Sequence, residues 1–342
     1  MMTIKEIRVE DAVGRVLAHD MTRIVPGKFK GVGFKRNHRV KAEDIPELLK
    51  IGKKHIYVLE LDDDHIHEDD AALRIAAALC GPNLRWTQPK EGRSNIISTI
   101  KGLLEIDVEG LLRINSLGEV IVATIKTGMP CAEGQMIAGT RIIPLFTETR
   151  KIETLEEIAR SRRPVLQIWP YLRSRVGLVV TGSEVYEGLV ADESDKWVAS
   201  RLKDYDCELV GKIVTSDDAA QIAAAVRTLI GGGCELIITT GGLSVDPDDV
   251  TRKGVRDAGA EIISYGSPIL PGAMFLNARI GDVPIIGLPA AVFYYPRTVY
   301  DLMLPRVLAG KQPGAADIAA MGHGGLCMNC EACHFPECPF GR

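Results

Sequence analysis

From residue 172 to 310 short apolar runs alternate with stretches that are apolar only at every third or fourth position. The runs lie at 176–180, 209–215, 236–240 and 285–287. Apolar runs of this length, bounded by Gly, Pro and polar clusters, read as buried strands, and the intervening periods read as helices. One helix is predicted over 195–206, burying Trp197, Val198 and Leu202, and another over 217–230, with Ser216 as N-cap and acidic residues in its first turn. Strand–helix alternation predicts an α/β unit whose mostly parallel sheet is covered on both faces.

The N-terminal half is less regular. Residues 1–66 read as a small α+β unit: a helix start or turn and then a strand after 8–11, and a basic Gly-rich loop at 27–33, read as a surface hairpin. A short amphipathic helix follows at 42–51 with Pro46 in its first turn, then a strand at HIYVLE. Residues 67–170 read as a second α+β unit, opened by an Ala/Leu-rich helix at 68–80. The polar turn holding Lys90, Arg93 and Ser94 precedes NIISTIKGLLEI, a helix by periodicity, and reads either as a capped helix start or as an anion site. Strand-like segments follow at 111–115, 120–124 and 141–145, the first two joined as a hairpin through Gly118. A helix at 154–160 and a linker at 162–170 complete the unit. The chain is thus expected to divide at 1–66, 67–170, 171–311 and 312–342.

The run at 236–240 opens into LIITTGGLSVDPDDVT. A strand that breaks into a Gly-rich loop at its C-terminal end is where open α/β sheets bind ligands. Gly241 and Gly242 let backbone N–H groups approach an anion, and Thr239, Thr240 and Ser244 add hydroxyls. Asp246, Asp248 and Asp249 bring negative charge to the same place, which suits a divalent cation bridging carboxylate and phosphate. The plain alternative is a tight turn whose aspartates cap the next helix.

Four further segments stand in a fixed order with this loop: RVGLVVTGSE at 175–184, YEGLVADES at 186–194, ILPGAMF at 269–275 and IIGLPAA at 285–291. Together they resemble the three-layer molybdopterin-binding domain of the MoeA-like molybdotransferases, the MogA-like adenylyltransferases and the CinA-like proteins, over about 172–310. The resemblance implies that Thr181, Gly182, Ser183 and Glu184 hold one end of the pterin. It implies that Thr239, Thr240, Gly241, Gly242 and Ser244 hold its phosphate, with Pro271, Gly272, Gly287 and Pro289 completing the binding edge. Asp249, with Asp248, takes the acidic position near Mg²⁺ and phosphate. The chain departs from the molybdotransferases at three places. Asp246 replaces a glycine, Pro271-Gly272-Ala273-Met274 lacks a lysine, and Ala290-Ala291 replaces Gly-Asn. The DNSAMDGYA motif is absent from the N-terminal half.

Composition changes the picture little. A net charge of −4 and no basic stripe argue against nucleic acid, and no apolar run reaches a membrane span. The N-terminus shows no secretory apolar core, so a cytoplasmic protein is expected. Cys80, Cys131, Cys207 and Cys234 read as buried free thiols. The acidic DDDHIHEDD stretch reads as a solvated loop and helix start rather than a metal site at His65 and His67. The last segment differs: Cys327, Cys330, Cys333 and Cys338 follow C-x2-C-x2-C-x4-C, with His323 and His334 interleaved. This spacing suits four thiolates on Zn²⁺ or an iron–sulfur cluster, a disulfide pair and an unstructured thiol tail being the alternatives. KQPGAAD upstream reads as a linker to a mobile tail.

The expected function is molybdopterin or adenylated-molybdopterin binding in molybdenum-cofactor assembly, with molybdate as co-substrate if the protein is molybdotransferase-like. A non-catalytic carrier or sensor serving a client molybdoenzyme, and a CinA-like nucleotide pyrophosphate hydrolase, are the rival readings. The resemblance implies a homo-oligomer.

Overall fold

The computed structural model describes residues 2–25, 29–61, 64–162, 164–244 and 250–341. They fall into two units, Met1–Ile168 and Trp169–Arg342.

In the first unit Met2–Arg8 pairs antiparallel with His55–Leu61, and Met21–Val25 pairs with Phe29–Phe34, so that most of the stretch expected as a Gly-rich loop is strand. With the short helix Ile45–Lys50 they enclose Leu17, Met21, Leu48 and Val58. A second core, with Ile75, Leu104, Ile137 and Leu155, lies among helices Glu68–Leu79 and Thr149–Arg160 and the neighbouring sheets. One of these sheets is antiparallel, in the order Leu84–Trp86, Arg93–Ser98, Met136–Ile142, Val120–Thr124.

Three sequence expectations fail here. NIISTIKGLLEI is not a helix but two strands, Arg93–Ser98 and Gly102–Ile106. Its apolar spacing is helical, but over Arg93–Ser98 the exposure alternates residue by residue with Ser94, Ile96 and Ser98 inward, and β-branched isoleucine suits the pleated surface. No helix N-terminus therefore backs the basic turn. Lys90 pairs through its backbone with Arg93, and Ser94 donates to the Thr87 carbonyl at 2.7 Å. Residues 111–115 are not a strand but part of the helix Val108–Asn115, capped by Asp107, whose carboxylate accepts from the Gly110 N–H at 3.0 Å. Nor is 162–170 a plain linker, since Leu166–Pro170 joins a three-stranded sheet. His67 is buried: its Nε2 donates to the Ala18 carbonyl at 2.6 Å and its Nδ1 accepts from the Asp69 N–H at 3.1 Å. Both ring nitrogens are engaged in structure.

The second unit is a six-stranded α/β sheet. Its strands are β1 (Arg175–Thr181), β2 (Glu208–Thr215), β3 (Leu236–Thr240), β4 (Glu261–Tyr265), β5 (Leu276–Ile280) and β6 (Val283–Leu288). They lie in the order β2-β1-β3-β6-β5-β4. The first four are parallel, and β5 and β4 add antiparallel. The main helices are α1 (Ser194–Lys203), α2 (Ala219–Gly231), α3 (Thr251–Asp257), α4 (Val299–Leu308) and α5 (Ala315–Ala320). Side chains alternate between faces. Val176, Leu178, Val180 and Ile238 pack with α1 and α4, whereas Val179 and Ile237 pack with α2 and α3. Gly177 and Gly211 admit α2 closely, because a Cβ on either would fall within 3.1 Å of a Leu229 methyl.

Two details differ from expectation. Trp197 is 38% exposed, while Val198 and Leu202 are buried. The cap of α2 is Asp218, which accepts from the Ala220 and Gln221 N–H groups, so Asp217 is left outside the helix. The cysteine tail is also not a free appendage. Ile318 and Phe340 are buried in the α1/α4 core, and Leu326 bridges to Leu270 as a strand would, with Cys327 N–H donating to the Leu270 carbonyl at 2.8 Å. Among the described residues no helix is long and apolar enough to cross a membrane.

Candidate functional site

The register of the parallel strands decides where their loops open. Thr181 ends opposite Thr215, Val180 opposite Thr240, and Thr240 opposite Leu288. The loops after β1, β3 and β6 therefore leave from one edge. The chain runs from β1 outward to β2, then crosses back to β3 on the other side of β1. That reversal makes the crevice between β1 and β3 a topological switch point, where open α/β sheets place ligands. Leu276 at the start of antiparallel β5 pairs with Gly287, so the turn carrying Pro271 and Gly272 arrives at the same edge.

The topology thus gathers Thr181, Gly182, Ser183, Glu184, Thr239, Thr240, Gly241, Gly242, Ser244, Pro271, Gly272, Gly287 and Pro289 around one end of the sheet. Asp248 and Asp249 lie outside the described residues. Gly241 has φ +87° and Gly242 φ +55°, the left-handed region that glycine tolerates best. Thr181 knits the two loops together: its hydroxyl lies 3.2 Å from the Thr240 carbonyl and 2.9 Å from the Thr251 hydroxyl, which donates at 2.9 Å to the Gly241 carbonyl. Thr239 and Thr240 are buried, and their hydroxyls have no hydrogen-bond partner among the described residues. A buried unpartnered hydroxyl costs about 1–3 kcal/mol, so two in succession at a strand end need an explanation.

The β1 loop is held differently. Gly182 N–H donates to the Thr215 carbonyl at 3.2 Å, and the Ser183 N–H and hydroxyl both donate to one Asp217 carboxylate oxygen, at 2.8 and 3.0 Å. Ser183 is accordingly occupied by a protein carboxylate. Glu184 accepts through its carbonyl from the Leu189 and Val190 N–H groups. Gly272 has φ +131°, with Val299 filling the space a side chain would take. Gly287 is a packing glycine: a Cβ there would lie 2.8 Å from both Leu243 and Leu276.

Sequence reasoning missed Asp217, Thr251, Tyr265 and Arg252. Tyr265 donates its hydroxyl to the carbonyls of Leu243 and Ser244, fixing the loop after Gly242, and the Arg252 guanidinium stacks 4.6 Å above the Tyr265 ring. Arg252 brings a positive charge beside the Gly-Gly loop. Its signal was its place immediately after the motif that ends at Thr251.

The four tail cysteines are free thiols, and all four line one cavity of about 60 Å³ together with His334 and Arg297. Among the described residues no three His, Cys, Asp or Glu side chains stand together as a ready metal site.

Two stretches of the chain match family models. Residues 177–309 match the family described as a probable molybdopterin binding domain, and residues 6–60 match a domain of unknown function (DUF8806). A CinA-like protein of Mycolicibacterium vanbaalenii is 40% identical over 113 residues, which is 33% of this chain and 25% of the relative. One from Mycobacterium tuberculosis is 38% identical over 91 residues, 26% of this chain and 21% of the relative. The chain thus spans about a quarter of the length of the curated relatives it matches. Among solved structures, the molybdopterin biosynthesis enzyme MoaB of Thermus thermophilus aligns over 41% of this chain and 98% of its own, at 19% identity and a TM-score of 0.35. Residues 177–309 are thus similar to the probable molybdopterin binding domain, and part of the chain is similar to CinA-like proteins.

Proposed function

We propose that the α/β unit binds molybdopterin or its adenylated form and acts in molybdenum-cofactor assembly. The observation that carries this reading is the Gly241–Gly242 turn at the switch point of the sheet, entered by two buried, unpartnered hydroxyls, Thr239 and Thr240, one on each face of the strand end. Hydroxyls and amides at a strand end suit a phosphate, and Arg252 adds a nearby charge. In this reading Gly241, Gly242 and Thr240 cradle the phosphate, and the β1 loop from Thr181 to Glu184 faces the pterin. Pro271, Gly272 and Pro289 border the crevice. Asp248 and Asp249 would supply carboxylates to Mg²⁺, which would neutralise phosphate charge. Catalysis on such a site would rest on positioning and charge compensation rather than on a strong nucleophile. The missing lysine at Ala273-Met274 and the missing asparagine at Ala291 favour binding and transfer over standard molybdate insertion.

Titration with molybdopterin and with its adenylated form, with Mg²⁺ present, tests this. Micromolar or tighter binding that weakens in Thr240→Val supports the reading, and AMP release dependent on molybdate would make the protein an enzyme of assembly. Absence of binding by both forms overturns it. The CinA-like relatives favour a second reading, hydrolysis of a nucleotide pyrophosphate, which Mg²⁺-dependent AMP release without molybdate would support.

A further inference from the structure

We propose that Cys327, Cys330, Cys333 and Cys338 form a four-thiolate metal centre that staples the C-terminal segment onto the α/β unit beside the turn at Pro271. The first observation is a shared cavity, in which the thiols stand apart but face one space. The thiols come from an irregular segment after α5 and yet line a single small cavity. A cavity of about 60 Å³ has room for a few atoms, and metal–thiolate bonds of about 2.3 Å would be reached by drawing the walls inward.

The second observation is how the segment is ordered. From 321 to 341 it contains no helix and no extended strand. It is held by the Leu270–Leu326 bridge, by the Gly341 N–H donating to the Gly324 carbonyl, and by Phe340 in the core. Cys330 and Cys333 are exposed, so neither thiol is there to fill a core. Irregular, cysteine-dense segments are the kind that a metal stabilises outright.

The third observation is charge. Four thiolates around a divalent ion carry a net charge of about −2 by formal count, and a cation belongs beside them. Arg297 lines the same cavity, its guanidinium 5.1 Å above the Phe335 ring and 2.7 Å from Asp301. Metal binding would release the thiol protons to solvent and needs no change of oxidation state, so no oxidant or reductant is required.

Zinc and an iron–sulfur cluster meet four thiolates through the same chemistry, and the test separates them. The full-length chain is isolated anaerobically and its metal and inorganic sulfide are measured. About one zinc per chain, or iron with sulfide in the ratio of a [4Fe–4S] cluster, supports the centre and names its occupant. Cys330→Ser and Cys333→Ser should lose most of that content, whereas Cys80→Ser, in the other unit, should keep it. If the tail variants fail to fold, the unaltered protein still decides. Removing the metal with a chelator should expose the four tail thiols to alkylation, mapped by mass spectrometry, and Co²⁺ added back should give the absorption of a tetrahedral thiolate site. No bound metal, no uptake of Zn²⁺ or Co²⁺ by the reduced protein, or content unchanged in Cys330→Ser and Cys333→Ser overturns the proposal. None of these readouts requires pterin binding, so failure here is distinct from failure of the ligand reading.

Discussion

A Cβ on Gly241 would lie 2.0 Å from the carbonyl oxygen of Thr181 and 2.7 Å from its hydroxyl. The two loops of the crevice are therefore in backbone contact, and no side chain fits between them. Gly241→Ala meets both a left-handed φ and a collision with backbone. It is expected to cost at least about 2 kcal/mol and to weaken ligand binding more than tenfold. Thermal unfolding and titration of the same preparation check this, and a variant with unchanged melting temperature would show that the loops separate easily.

Thr240→Val should behave in the opposite sense for stability. It replaces a buried hydroxyl that lacks a partner with a methyl of the same shape. Stability is expected to hold or rise by about 1 kcal/mol, while affinity for a phosphorylated pterin falls roughly tenfold. Urea unfolding beside ligand titration separates the two effects. A loss of stability above about 1 kcal/mol would mean the hydroxyl is already satisfied within the fold.

This crevice was largely legible in the sequence, and the reason is local. Strand, Gly-Gly turn and hydroxyl residues occupy adjacent positions, and parallel pairing brings every such turn to one edge. Asp217 was not legible, because after a serine N-cap an acidic residue reads as part of the helix's first turn, and only the fold reveals that Asp218 caps while Asp217 turns to Ser183. The strands at 93–106 were misread for a different cause. Ile96, Ile97, Ile100, Leu103 and Leu104 follow helix spacing, and what overrides it is distant pairing: Met136–Ile142 beside Arg93–Ser98, and Pro130–Cys131 and Leu166–Pro170 beside Gly102–Ile106. The docking of the tail rests on Phe340, with Phe335 packed beside it, two aromatics that no period announces.

His67 predicts a pH dependence. Burial, aided by the positive charge of Arg36, lowers its pKa from 6.5 to about 4, against smaller opposing effects of the Ala18 carbonyl, Asp69 and Asp70. The ring is therefore neutral in the fold, and the unfolded chain binds the proton more readily. The stability this represents is complete above pH 6.5 and is lost as pH falls from about 6.5 toward 4. Its size is roughly 3 kcal/mol. Unfolding of the full chain at pH 7 and pH 5 should show the loss in the first unit, and His67→Gln should flatten the slope while lowering stability at pH 7. An identical slope in the variant would assign the dependence to other groups.

Asp301 anchors the chain that follows Pro289. Its buried carboxylate lies 2.7 Å from Arg297 Nη1 and 3.6 Å from Arg201 Nε, and it accepts from the Thr298 N–H at 2.8 Å to cap α4. Arg201 in turn donates to the Pro296 carbonyl at 2.8 Å. Asp301→Ala would leave Arg201 buried without its counter-charge, at a cost of about 3–5 kcal/mol. Asp301→Asn, which keeps an acceptor for Thr298, should lose less. Equal losses in the two variants would show that the charge contributes nothing beyond the cap.

Phe340 tests whether the C-terminal segment belongs to the fold or merely follows it. Its ring is 2% exposed and sits in the α1/α4 core, and the neighbouring Gly341, at φ +77°, lies so close to Leu302 that a Cβ would come within 2.4 Å of a methyl. Truncating a buried aromatic costs about 3–5 kcal/mol where its surroundings cannot collapse. Phe340 lies in an irregular segment, where partial relaxation brings the expected cost of Phe340→Ala to roughly 2–3 kcal/mol. The same change should free the segment after α5 for proteolysis and raise the reactivity of Cys327 and Cys338, which are half-buried in the fold. Limited proteolysis and alkylation rates report the detachment, and urea unfolding reports the energy. A tail that merely hangs from a linker would show neither change, and the Leu270–Leu326 bridge would then contribute nothing to the position of Pro271.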